Sequence, residues 1–134
     1  MAVQYSVGVR NGMLDSIESV TGASPRLIIY TGAPPANCAA VASGSVLATL
    51  ILPADFYAAA ASGTKSLLGS WTASATGAGT AGHYRIWDST ITNCHEQGTI
   101  TITGSGGDIT LDNPVIAVSQ VVTINSKTIT AGNA

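Results

Sequence analysis

Gly79-Thr80-Ala81-Gly82-His83-Tyr84-Arg85-Ile86-Trp87-Asp88 is the stretch whose reading decides the fold. It opens on small, flexible residues and turns into strand-type alternation. Side chains on a strand point alternately to opposite faces, so Tyr84 and Ile86 share one face and His83, Arg85 and Trp87 the other. The first pair is expected in the core. The second set joins two rings to one of only five basic residues in the chain. That pattern suits a surface that touches something, although a cation resting on a neighbouring Trp within one fold gives the same pattern.

The rest of the chain supplies strands around this one. Residues 26–30 (Arg-Leu-Ile-Ile-Tyr) are β-type and end at the rigid turn Thr31-Gly32-Ala33-Pro34-Pro35. A loop of small residues, 37–44, carries Cys38. Residues 46–52 are apolar on both faces, which predicts a strand covered on both sides. Asp55-Phe56-Tyr57 reads as a short helical turn, Ser62-Gly63 as a turn, and 65–73 as one strand around Leu67, Leu68 and Trp71. Residues 72–82 read as a flexible loop. Beyond the central strand, 88–93 is a turn and 94–103 a strand with Ile100 and Ile102 inward and Thr99, Thr101 and Thr103 outward. Gly104-Ser105-Gly106-Gly107 is a hairpin signal. Residues 108–112 alternate with Ile109 and Leu111 on one face, Asn113-Pro114 turns the chain, and 119–130 forms the last strand.

Only residues 6–21 read as a helix. Met13, Leu14, Ile17 and Val20 form its apolar stripe, Ser6 is the N-cap and Gly22 the C-terminal glycine, while Arg10, Asp15 and Glu18 lie off the stripe. Gly8 and Gly12 weaken it by roughly 1 kcal/mol each relative to Ala, so it needs packing against its own sheet or a neighbouring subunit. The expected architecture is all-β: a jelly-roll-like β-sandwich of about eight short strands with one N-terminal α-helix. It forms a single domain over 1–134, with an arm and helix over 1–22 and the sandwich over 23–134.

Composition narrows the function. The 134 residues are 46% hydrophobic but only 9% charged, with 15 glycines and a net charge of −2. There is no electrostatic footprint for nucleic acid and no basic run for a membrane surface. A surface with so little charge suits contact with other protein, since charge is what keeps soluble proteins apart, and equally suits a neutral monomer whose surface is Ser, Thr and Gly. The start, Met-Ala-Val-Gln-Tyr-Ser, has neither a basic n-region nor an apolar h-region, so no signal peptide is expected. Cys38 and Cys94 are too few for a disulfide scaffold and are read as free thiols, with one bridge as the alternative.

No catalytic motif is present. Cys94-His95-Glu96, with His83 and Cys38, offers the residue types of a zinc set or a Cys–His pair. Strand alternation, however, sends Cys94 and His95 to opposite faces, giving a buried thiol beside an exposed imidazole. Asp108 and Asp112 share a face and are read as solvated carboxylates before calcium ligands. Gly104 to Gly107 precedes a strand, not a helix, so it reads as a turn before a phosphate cradle. No catalytic residue, cofactor or metal ligand is assigned.

Several segments resemble a family of small virion proteins of tailed bacteriophages and prophages. They are Gln4-Tyr5-Ser6, Arg10-Asn11, Leu14-Asp15, Thr31-Gly32-Ala33-Pro34-Pro35-Ala36-Asn37-Cys38, Leu52-Pro53-Ala54-Asp55, Gly79-Thr80-Ala81-Gly82-His83-Tyr84-Arg85-Ile86, Cys94-His95, Gln97-Gly98, residues 108–113 and the ending Thr130-Ala131-Gly132-Asn133-Ala134. The chain is most similar to the jelly-roll head decoration, or cement, proteins. That resemblance implies a non-enzymatic structural protein, made in the host cytoplasm and placed on the virion capsid surface. Its partners would be the major capsid protein and copies of itself, as dimer or trimer. Candidate interface residues are Arg10, Arg85 and Trp87, then Tyr5 and His83; each equally admits an intramolecular role. A tail, neck or fibre-associated structural protein is one alternative. A carbohydrate-binding β-sandwich stacking sugars on Trp71, Trp87 and Tyr84 is another.

Overall fold

The computed structural model describes residues 3–131. Met1 and Ala2, and the Gly132-Asn133-Ala134 portion of the terminal motif, lie outside the described residues. Among the described residues the protein is mostly β, with one helix and a curled mixed sheet. Helix α1 spans Val7–Thr21. Among the described residues ten strands follow: β1 (Arg26–Thr31), β2 (Val46–Ile51), β3 (Thr64–Ser66), β4 (Trp71–Ser74), β5 (Gly79–Trp87), β6 (Cys94–Ile102), β7 (Ile109–Leu111), β8 (Val115–Ile116), β9 (Val121–Ile124) and β10 (Thr128–Thr130).

The main sheet runs β2-β1-β5-β6-β7, with β8 paired to the start of β5. The stretch that opened the reading is therefore its central strand. Leu27 and Ile29 of β1 pair with Ile86 and Tyr84 of β5 on one side and with Leu50 and Ala48 of β2 on the other. These residues point to one face, and that face is the core. Two short ladders, β4–β9 and β3–β10, complete the fold. They add Trp71, Val122 and Ile124, together with Phe56 and Tyr57, to the same buried cluster. Phe56, Tyr57 and Trp71 pack ring on ring, with centroids 5.0 to 6.4 Å apart. The Trp71 indole N–H donates to Leu68 O at 3.1 Å, so this large ring enters the core with its polar atom satisfied.

Several expectations are corrected. Residues 72–82 are not a flexible loop: β4 and β5 cover most of them, and Ala75 and Ala81 are buried. Small residues occur there because they pack closely. A Cβ on Gly82 would sit 2.2 Å from Gly32 O, so the strand and the turn leaving β1 touch backbone to backbone. Gly82→Ala is expected to cost about 1–3 kcal/mol, read as a lower urea midpoint at unchanged m-value.

The reading of 65–73 as one strand fails at Gly69, whose positive φ of 79° divides β3 from β4. The last strand likewise divides into β9 and β10, which pair with different partners. Tyr57 is extended and bridges Leu67, so 55–57 is not a helical turn. The glycines at 104–107 do not make a hairpin, because β7 returns parallel to β6, pairing Ile100 with Ile109 and Ile102 with Leu111. Ile102 and Ile51 were expected to be covered; Ile102 is half-exposed, and Ile51, on the free edge of β2, is 63% exposed.

Candidate functional site

The face of β5 away from the core carries His83, Arg85 and Trp87, and the loop 32–45 folds over it as a strap. Pro34 and Pro35 remove two backbone donors and keep the strap from pairing as a strand. Asn37 Oδ1 accepts from the backbone N–H groups of Ala39 and Ala40, both at 3.0 Å, and tightens the turn. The turn gathers the carbonyls of Asn37, Cys38 and Ala40 onto Arg85 Nη2 at 3.2, 2.8 and 3.0 Å. The guanidinium also lies 4.9 Å from the Trp87 ring centroid. Gln97 Nε2 donates to Pro35 O at 2.7 Å. His83 stacks on Tyr30 with centroids 5.0 Å apart. Its Nδ1 is 2.8 Å from Gly32 O, a carbonyl that only accepts, so Nδ1 carries the proton.

His83 and Arg85 are both 0% exposed. The surface expectation for these two is corrected: the intramolecular reading of ring, cation and ring describes them. Strand alternation separated the two faces correctly, and what it could not supply is that the loop joining β1 to β2 covers the second face. Trp87 is half-buried, donating Nε1–H to Tyr30 Oη at 3.2 Å. Tyr5 is 47% exposed. Arg10 is partly buried, and its Nη1 donates to Ala131 O at 3.0 Å. The sugar-stacking platform also loses two members, since Trp71 and Tyr84 are core residues.

Cys94 and His95 line one cleft with Cys38, Trp87 and Asn93. They share a side because the register slips: Ile86 pairs with Glu96 and Trp87 with Cys94, which leaves His95 unpaired in a bulge. Both cysteines are half-buried free thiols. Burial, with the Cys38 thiol beside it, pushes the Cys94 thiol up to about 11. No group of three or more His, Cys, Asp or Glu side chains converges to hold a metal among the described residues. Asp108 accepts from the Thr99 N–H and hydroxyl, and Asp112 from the Thr103 hydroxyl, which ties both carboxylates to β6 and its end.

Two buried lysines were missed. Lys65, 1% exposed, pairs with Asp15 at 2.7 Å and Glu18 at 2.9 Å. Lys127 pairs with Glu96 at 3.0 Å, and Glu96 also accepts from the hydroxyls of Tyr57 and Tyr84. Burial, reinforced by the Glu96 charge, pushes both phenols far above their ordinary range. The available signal was a lysine inside a strand pattern in a chain with so few charges.

The Lys65 cluster latches α1 to the sheet. Glu18 Oε1 also accepts from the N–H groups of Phe56 and Tyr57, Asp15 Oδ1 from Ala60 N–H, and Asn11 Oδ1 from Gly63 N–H. The hydrogen bond from Lys65 holds Asp15 below the ordinary carboxylate range. Burial raises Glu18, but Lys65 and the Tyr57 N–H outweigh it and leave it lowered. Asp55 is raised, chiefly by sharing a hydrogen bond with Glu18.

The sign of the pH dependence follows. Asp15 and Glu18, lowered in the fold, stabilise it above about pH 4, and that contribution is lost as pH falls through their folded values. Asp55 acts in the opposite sense: its contribution is present below its ordinary value and is lost as pH rises through its folded one. Urea titrations from pH 7 to pH 3 are expected to show stability falling below about pH 4. Lys65→Met is expected to flatten that fall. Asp88, held at about 2 by the Thr92 N–H first and by the Asn93 and Thr90 side chains, keeps a slope of the same sign at lower pH.

With polar residues facing inward, α1 turns much of its apolar surface outward. Leu14 is buried and Ile17 packs against the core, but Met13 is 51% and Val20 68% exposed. The predicted stripe is therefore divided, and only its Leu14–Ile17 half faces the sheet. Val9, Met13 and Val20, spaced by four and seven residues, form an outer apolar row. Val7 and Val3 are exposed near the start of the helix. No helix among the described residues is long and apolar enough to cross a membrane. In comparisons with known proteins, no family model, no curated sequence and no solved structure matches this chain.

Proposed function

We propose that this protein is a jelly-roll-like capsid decoration, or cement, protein of a tailed bacteriophage that binds the assembled head through the outer face of α1. The observation that carries the reading is the inverted helix. Its charged residues are spent on anchoring to the sheet, which leaves Val9, Met13 and Val20 in water. An apolar row held rigidly at the surface gains by burial against another protein, at about 25 cal/mol per Å² of apolar area. The few surface charges do not oppose such contact. Mass action supplies the mechanism: a protein that binds only the assembled shell stabilises that shell. The major capsid protein is the partner, together with further copies of this chain.

The test is co-sedimentation of the purified protein with isolated heads and, separately, isolated tails of the encoding phage. Saturable binding to heads alone is expected, with the plateau giving the copy number. Binding to tails alone would move the protein to the tail, and binding to neither would remove the add-on virion role. A glycan array serves as the control for carbohydrate binding. Of the three proposed stacking residues, only Trp87 is not buried.

A further inference from the structure

Cys38 comes from the strap and Cys94 from the first position of β6, yet both residues line one cleft. The Cys38 thiol is near enough to the Cys94 thiol to help raise it. Both residues are fixed from the backbone side. Cys38 O accepts from Arg85 Nη2 at 2.8 Å, and Cys94 sits in the ladder opposite Trp87 with its thiol donating to Glu96 O at 3.3 Å. Arg85 supplies a positive charge beside the pair, and its Nε and Nη1 are buried without a hydrogen-bond partner among the described residues. The Arg85 charge favours the Cys94 thiolate, but burial and the neighbouring Cys38 thiol outweigh it and leave Cys94 raised. Half-burial leaves the sulfurs reachable from the cleft.

We propose that Cys38 and Cys94 form a reversible dithiol–disulfide pair that locks the strap onto β6. The oxidant is a small-molecule disulfide of the glutathione class. Cys38, as thiolate, attacks one sulfur of that disulfide, an S–S bond breaks, and one thiolate leaves and takes up the proton that Cys38 released. The Cys94 sulfur then attacks Cys38 Sγ in the mixed disulfide. The second small thiolate leaves and is protonated by the proton from Cys94. Two protein thiols and one small disulfide become one protein disulfide and two small thiols, so two electrons pass to the reagent. The high Cys94 value makes the second step slow at neutral pH and faster under alkaline conditions.

The test incubates the native protein with oxidised glutathione at mildly alkaline pH and reads intact mass and melting temperature. The expected product is a monomer lighter by two hydrogens with no glutathione attached. Its melting temperature is expected to rise by roughly 10 °C, because the bridge closes a long loop, and to return on reduction with dithiothreitol. Cys94→Ser is expected to stop at one glutathione on Cys38, which shows the order of attack. The pairing is overturned by separate glutathione adducts persisting on both cysteines, by disulfide-linked dimers, or by oxidation that occurs only in denaturant. A bridged monomer whose melting temperature does not rise overturns the lock.

Discussion

Arg85→Ala is expected to lower the unfolding free energy by about 3–5 kcal/mol, among the largest losses available to a single polar substitution in this chain. The guanidinium is fully buried, and none of the ion pairs found among the described residues involves it. Its charge is balanced by carbonyl dipoles and a ring: Asn37 O, Cys38 O, Ala40 O and the face of Trp87. Truncation leaves those carbonyls over an apolar hole with nothing to accept from, and each unsatisfied buried group costs on the order of 1–3 kcal/mol. Arg85→Met keeps much of the bulk and is expected to lose less, about 2–3 kcal/mol. Urea unfolding measures both. Limited proteolysis locates the damage, with new cleavage in the strap at 36–44 and little elsewhere. A loss below about 1 kcal/mol with an uncut strap would show that Arg85 does not hold it.

Lys65→Met is expected to cost about 2–3 kcal/mol and to loosen α1 from the sheet. A buried ion pair broken from one side ordinarily costs more, about 3–5 kcal/mol. The discount applies because the Asp15 side chain is 49% exposed and stays hydrated when its partner is lost. Glu18 is better covered and is left near Asp55 without a cation between them. Ala58 O loses its donor as well. The helix buries few apolar groups of its own, so little remains to hold it. Circular dichroism should show reduced helical signal before the β-signal melts, and amide exchange should be fastest over 7–21. Unchanged helix protection in Lys65→Met would mean that Leu14 and Ile17 hold the helix without the ionic contacts.

Much of the fold was legible where the physics is local. The helix, its Ser6 cap and its Gly22 terminus follow from capping chemistry and are present, with Ser6 Oγ accepting from Val9 N–H and Gly22 N–H donating to Glu18 O. The alternation in β5 placed Tyr84 and Ile86 in the core, where they are. Misreadings arose where a distant partner decides the outcome. The small residues of 72–82 read as mobile because composition does not reveal that their backbone is pressed against Gly32. His95 departs from alternation because of a bulge, and a bulge depends on the register with β5. The helix stripe divided because a buried lysine from β3 drew the acidic side inward. Arg85 was picked out as unusual for the right chemical reason with a surface and an intramolecular reading both open, and the strap contributed by another part of the chain selects the second.

The most direct test of the proposed docking face is head binding by a Met13→Glu, Val20→Glu double variant compared with the unaltered chain. Both side chains are exposed and take no part in the Lys65 latch, so melting temperature and circular dichroism are expected to be unchanged. The unaltered chain should sediment with heads to a saturating plateau, and the variant should lose at least tenfold in affinity, or about 1.4 kcal/mol. A variant that folds normally and binds heads as tightly as the unaltered chain would contradict the assignment of the outer helix face as the contact surface.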